Sequence, residues 1–198
     1  FERGALVSCG GVGVGGEHIT RDIAQIFGSP IAHAERMKTL HGSVLLGPGD
    51  EHRLLDFPQL GDAAEIARHS KAELAQVIAP RFEEILELAL AALPGEGSAP
   101  RSVRRAVLTG GGSLLLGARE TAERVVGVKT RLGRPAPLSG APEAATAPQF
   151  AVAFGVLRHV ARQRSQNRRA VAQPRLKSTI TAGRGLIGGV SQWLKANF

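Results

Sequence analysis

Val107-Leu108-Thr109-Gly110-Gly111-Gly112-Ser113 is the stretch on which the reading of this chain turns. Arg105 to Thr109 is apolar and β-branched enough to predict a strand, which would deliver the backbone to the edge of a sheet. Three glycines then remove the side chains that would keep a flat ligand away from the peptide planes. A helix expected from about Leu115 to Val126 would present free N–H groups beside the loop. A tight strand-to-helix turn accounts for three glycines just as well, so the motif alone leaves both readings open. A second glycine stretch, Gly10 to Gly16, also leads into a helix: Ile19, Ile23 and Ile26-Phe27 recur at helical spacing over Glu17 to Phe27, and Gly28-Ser29-Pro30 stops them. Neither loop is a Walker A motif, because no Gly-Lys-Ser/Thr follows. The dinucleotide-binding pattern lacks its acidic partner.

Outward from these loops, the pattern alternates. Ala5 to Cys9 reads as a strand of a β-hairpin, and a helix is expected from about Ala32 to Leu40, ending at His41-Gly42. Residues 43 to 69 read as short strands and turns, including Ser43-Val44-Leu45-Leu46, Gly47-Pro48-Gly49-Asp50 and Arg53-Leu54-Leu55-Asp56-Phe57. Ser70 with Glu73 is a capping box opening a long helix striped by Leu74, Val77, Ile78, Phe82, Ile85 and Leu86, which Pro80 should kink or divide. After a loop at 94–100 and the strand at 105–109 come the helix to Val126, a strand at 129–133, a Pro/Ala loop at 134–148 and a helix from Gln149 to Gln163. Residues 164–182 read as a polar, basic, disordered linker. Strands alternating with helices make the fold class α/β.

At 198 residues and 43% hydrophobic, the chain can bury one core, in one or two lobes. It opens inside a turn, so it is expected to be part of something longer. The single cysteine, Cys9, excludes an internal disulfide and suits a reducing compartment. No run reaches the ~20 apolar residues of a membrane span. The six histidines show no metal-ligand spacing, and no paired carboxylates or nucleophile–base set appears.

Charge is unevenly placed. The net is +8, but residues 158–198 hold nine of the 25 basic residues and none of the 17 acidic ones, so the preceding chain is nearly neutral. A cationic tail points to an anionic partner. Its last segment, 183–198, sets Leu186, Ile187, Val190, Trp193, Leu194 and Phe198 at helical spacing, with Lys195, Gln192, Ser191 and Arg184 on the other side. This is the pattern of an interfacial membrane helix; a helix docking on its own domain is the alternative. Gly185, Gly188 and Gly189 oppose helix formation in water by about 1 kcal/mol each, which a helix formed on lipid tolerates better. Each Lys or Arg near an anionic bilayer adds about 1 kcal/mol of attraction. Nucleic acid is the weaker partner, since no aromatic residue sits among the arginines.

The order of features is more specific than any one of them. A glycine loop enters a helix, Glu35-Arg36-Met37-Lys38 follows, and after a long excursion comes Thr109-Gly110-Gly111-Gly112-Ser113. This order resembles the second half of the actin/Hsp70/sugar-kinase (ribonuclease H-like) fold. Within it the chain is similar to the FtsA family of bacterial division proteins, on Ile19-Thr20-Arg21-Asp22-Ile23-Ala24, Ala34-Glu35-Arg36-Met37-Lys38, Val77-Ile78-Ala79-Pro80-Arg81-Phe82, Arg131-Leu132-Gly133-Arg134-Pro135, Phe150 to Leu157 and Trp193-Leu194-Lys195. The resemblance implies an actin-like half, 1–163, with subdomain 2A at 1–36 and 104–163 and 2B at 37–103, then the linker and the terminal amphipathic helix.

It also implies ATP, with Mg2+ ligands mostly in a half absent from this chain. Gly15 and Gly16 would lie near the phosphates, Glu35 and Lys38 would approach ribose and adenine, and Gly110, Gly111, Gly112 and Ser113 would form the adenosine motif. Glu35 and Lys38 share one helix face, so a plain surface ion pair stays open as well. By resemblance, the carboxyl-terminal tail of the tubulin-like protein FtsZ docks on 2B, with Arg81 as the candidate contact; an ordinary helix-surface arginine is the open alternative. Filament self-association, other divisome partners, the cytoplasmic face of the inner membrane at the division site and a role in septum assembly follow from the same resemblance. So does a protein that is not itself an enzyme, any ATPase activity requiring the other half. The family's Asp-Xaa-Gly-Gly-Gly phosphate loop is not in the chain. The rival reading is a fragment of a sugar-kinase-like phosphotransferase.

Overall fold

The computed structural model describes residues 1, 3–61, 65–93 and 103–172. The chain divides into two bodies, Phe1–Arg158 and His159–Phe198. The first contains α1 (Gly16–Ile26), α2 (Ile31–His41), β1 (Leu54–Pro58), β2 (Ile66–Ser70), α3 (Lys71–Ala91), β3 (Ala106–Leu108), α4 (Ala118–Val126), β4 (Thr130–Leu132) and the start of α5 (Ala151–Ala172). In the second body the described residues, 159–172, are helical, and the Gln163 side chain meets the His159 ring at 3.0 Å.

The apolar stripes explain the packing. Ile19 and Ile23 of α1 are fully buried, with Ala34 and Met37 of α2, Leu74, Ile78 and Phe82 of α3, and Ala118 and Ala122 of α4 around them. Each large side chain so buried contributes roughly 1.5–3 kcal/mol before ordering costs. At one end Phe27 and Phe57 lie with ring centroids 4.6 Å apart, and the His69 ring is 4.5 Å from Phe27. β1 and β2 form an antiparallel hairpin with Leu55 opposite His69. β3 and β4 pair in parallel, Val107 opposite Arg131, joined through α4. Among the described residues, the α/β class is thus realised as two small two-stranded sheets against helices.

Capping behaves as the sequence predicts at α3. Ser70 Oγ accepts from the Glu73 N–H at 3.1 Å, and Glu73 Oε2 accepts from the Ser70 N–H at 2.6 Å. These bonds hold the Glu73 carboxyl below the usual carboxylate range. α3 then runs through Pro80 as a single helix rather than dividing there. A loop staple sits beside it: Lys71 Nζ donates to Asp50 Oδ1 at 2.9 Å, both side chains nearly buried, and the Gly47 N–H donates to Asp50 as well.

Four further expectations need correction. The turn at Arg3-Gly4 forms, with positive φ at both residues, but Ala5–Cys9 makes no strand. No described strand lies alongside to pair with it, and Leu6 and Val7 stay exposed. Ser43–Leu46 contributes a single parallel bridge, Ser43 with Leu116, instead of a strand. The helix after the glycine loop starts at Ala118, not Leu115. Residues Gly111–Leu114 form a 3₁₀ turn, Leu116 is held extended between Gly42 and Val44, and Gly117 turns the chain at φ +81. A Cβ at Gly117 would lie 2.5 Å from Leu45 Cγ, so the position requires glycine twice over. Finally, α5 continues to Ala172, into the stretch expected to be linker. Straight-chain residues such as Arg162, Gln163, Arg164 and Gln166 favour helix, and no Gly or Pro intervenes before Pro174. The remainder of the linker and the terminal helix lie outside the described residues.

Candidate functional site

The first turn of α1, the outer face of α2 and the Gly111–Leu114 turn converge on a cleft of about 590 Å³. Gly16, Glu35, Lys38, Gly111 and Gly112 line it, together with Glu17, Ile19, Thr39, Gly42, Leu114, Leu115 and Gln149. Two glycine loops far apart in sequence thus meet the Glu35–Lys38 pair at one place. Gly15, Gly110 and Ser113 stand behind this wall. Gly15 caps α1, where its carbonyl accepts from the His18 N–H at 2.9 Å. Gly110 turns the chain at φ +91, a conformation that disfavours any Cβ, and its carbonyl accepts from Ser113 Oγ at 2.7 Å. These residues shape the loop rather than face the opening.

Lys38 organises the wall. Its ammonium donates to the Gly16 carbonyl at 3.0 Å, to Thr20 Oγ1 at 2.7 Å and to Glu35 Oε2 at 2.6 Å, so all three of its protons are engaged. Thr20 also hydrogen-bonds Glu35. Glu35 and Lys38 are therefore an ion pair and cleft residues at once, and the two readings do not exclude each other. Burial pushes the Glu35 carboxyl up, but the hydrogen bonds from Lys38 and Thr20 and the lysine charge together hold it below its ordinary value.

The glycine turn suits a flat ligand. An added Cβ at Gly112 would meet nothing within 4 Å, and one at Gly111 would meet only Gln149 Cβ, at 4.0 Å. The peptide planes there face open space beside the apolar side chains of Leu114, Leu115 and Ile19. Backbone at a glycine turn, apolar side chains beside it and the carboxylates of Glu35 and Glu17 fit a nucleoside. Among the described residues, no group of three His, Cys, Asp or Glu is placed to hold a metal ion.

Arg81 lies elsewhere, on a groove of about 830 Å³ between α1 and α3 that Ile26, Phe27, Val77 and Pro80 also line. Its Nε donates to Asp22 Oδ2 at 2.6 Å and its Nη2 to Asp22 Oδ1 at 3.2 Å, while Nη1 meets Glu84. Asp22 first and Glu84 second hold the guanidinium still more firmly in its charged form. The tail residues Leu186, Ile187, Val190, Trp193, Leu194, Lys195 and Phe198 are outside the described residues. Among the described residues, no helix is long and apolar enough to cross a membrane.

The sequence did not point to Thr20, Gly42 or Gln149 as residues of this site. Thr20 carried a usable signal, standing one helical turn from Gly16. Gln149 carried none, because it reaches the cleft through a crossing of loops.

The fold is that of the actin-like class. It is similar to MreB5 of Spiroplasma citri bound to ADP (TM-score 0.54, 16% identity, covering 73% of this chain and 44% of that one). It is also similar to MreB 5 of Spiroplasma citri bound to AMPPNP (TM-score 0.52, 15% identity, 79% and 47%). The family model for cell division protein FtsA matches residues 1–155, and the chain belongs to the FtsA family. The cell division protein FtsA of Agrobacterium fabrum is 36% identical over 200 residues, taking in all of this chain and 45% of that protein. The FtsA proteins of Neisseria meningitidis and Escherichia coli K12 are 29% and 28% identical, again over the whole chain and over 47% and 48% of their own lengths. The chain thus spans about half the length of these relatives. Membership leaves the sugar-kinase alternative without support.

Proposed function

We propose that this chain supplies one wall of the ATP cleft of an actin-like cell division protein that ties FtsZ filaments to the cytoplasmic membrane and helps assemble the septum. The observation that carries the nucleotide reading is the meeting of Gly16, Glu35, Lys38, Gly111 and Gly112 around one cleft. In this reading Gly111 and Gly112 lie against the adenosine, Glu35 faces the ribose, and Lys38 reaches the ligand by exchanging one of its three internal bonds. Gly15, Gly110 and Ser113 hold the two loops in shape, and the N–H groups of the first turn of α1 face the phosphates. The accompanying Mg2+ takes its ligands from the triphosphate and mostly from the other half of the actin-like fold. The protein binds ATP as a subunit of a polymer rather than as an enzyme in its own right.

The same reading assigns subdomain 2A to 1–36 and 104–163 and 2B to 37–103, with the FtsZ tail docking on 2B at Arg81 and other divisome proteins as further partners. Arg81 engages three of its five N–H groups internally, so it can add a partner carboxylate without first releasing Asp22. The cationic chain beyond Arg158 draws the protein to anionic lipid on the inner face of the membrane, where the segment 183–198 lies in the interface.

The decisive test is calorimetry of the full-length protein with ATP and Mg2+, beside Gly112→Val. The valine has room in the fold but fills the cleft, so affinity should fall at least about tenfold, or ~1.4 kcal/mol, with the melting temperature unchanged. Equal affinity in the two proteins would remove the nucleotide from this cleft. For the tail, Trp193→Glu should abolish co-sedimentation with anionic vesicles; retained binding, or preference for duplex DNA in a gel shift, would overturn the tether.

A further inference from the structure

Five polar side chains line the cleft, and four of them are engaged within the protein. Glu17 pairs with Arg21 at 2.5 Å, Thr39 Oγ1 donates to the carbonyls of Glu35 and Arg36, and Glu35 and Lys38 bind each other. Among the described residues, Gln149 is the one polar side chain on the cleft with no hydrogen bond to the protein. An exposed amide with both a donor and an acceptor, at the mouth of an otherwise satisfied cleft, is poised for a ligand edge of the same alternating kind.

Its placement is fixed by backbone. The Gly110 N–H donates to the Pro148 carbonyl at 3.1 Å, and Thr109 Oγ1 contacts the same oxygen at 3.4 Å. The strand that enters the glycine turn therefore holds the residue before Gln149. Leu114, half exposed, stands on the same rim and offers an apolar surface on which a ring can lie. Both residues also border a shallower depression of about 400 Å³, so they form a ridge rather than the cleft floor.

We propose that Gln149 is a specificity-determining residue that reads the base edge of an adenine nucleotide. The inference rests on the nucleotide reading of the cleft. The amide oxygen accepts from the exocyclic amine of adenine while its N–H donates to the adjacent ring nitrogen. A carboxylate in its place has acceptors only: it repels that ring nitrogen and matches the two neighbouring donors of guanine.

The test uses the full-length protein and displacement titrations with ATP and with GTP, for wild type, Gln149→Met and Gln149→Glu. Methionine keeps the bulk and loses the polar edge, and should weaken ATP about 3- to 10-fold, the range of a neutral hydrogen bond. Glutamate should shift the ATP-over-GTP preference toward GTP by about tenfold or more. Melting temperatures should not move, since the side chain has no internal partner. If wild type binds ATP but neither variant changes the ATP-to-GTP ratio by more than about twofold, Gln149 does not read the base while the cleft assignment stands. If wild type binds no ATP, the cleft reading falls and this inference with it.

Discussion

Two cations hang on the same helix in different ways. Lys38 binds the first turn of α1 with its side chain only 12% exposed and all three protons engaged; Arg81 grips Asp22, further along α1, with 31% of its side chain exposed and only part of its fork in use. The comparison separates a charge that builds a wall from a charge that lines an opening. A satisfied ammonium fixes the spacing of α1 and α2, while a planar guanidinium with spare donors can hold the fold and still accept a visitor.

Lys38→Met should have the largest effect. It removes three hydrogen bonds at once, to the Gly16 carbonyl, Thr20 and Glu35, leaving only the Thr20 hydroxyl between the other two, and should cost about 2–3 kcal/mol in urea unfolding. Arg81→Met should move the urea midpoint less; an equal or greater loss would break the contrast. Gly117→Ala should come next, at about 2 kcal/mol from overpacking against Leu45 at positive φ, and it sharpens the comparison by disturbing the glycine-turn wall without touching either cation. Ser70→Ala should follow, at about 1 kcal/mol, because the capping box starts the helix that carries Glu73 and Arg81 to the groove. A loss near zero there would mean that packing alone seats α3.

The pH response should be the smallest. The folded Glu35 carboxyl titrates below its unfolded value, so its contribution is complete above the ordinary carboxylate range and disappears as pH falls through the lowered value. Glu35→Gln should lower stability most at neutral pH and least in acid, which flattens part of the acid limb of the profile. An unchanged acid limb would show that the carboxylate is not what Lys38 holds.

The helices were legible because their signals are local. Ile19 and Ile23 mark the buried face of α1, and Ser70 with Glu73 marks the start of α3 to the residue. What escaped depended on distant partners. Ala5–Cys9 had the composition of a strand but no described strand to pair with, and Leu116 was drawn out of a helical pattern by Gly42 and Val44. In the cleft, the glycines and the Glu35–Lys38 spacing could be read in sequence, whereas the role of Gly110 and Ser113 as loop braces needed their hydrogen bond, and Gln149 needed the contact at Pro148.

The β3–β4 pair has a practical consequence. Parallel strands are found almost entirely inside sheets covered on both faces, yet here Val107 is 52% exposed, Leu132 39%, and no third described strand pairs with either edge. Rows of unpaired backbone groups flanked by apolar side chains are templates for a foreign strand. Produced by itself at high concentration, this polypeptide should enter aggregates through that edge, and solubility on expression will depend on whatever strand is supplied to cover it.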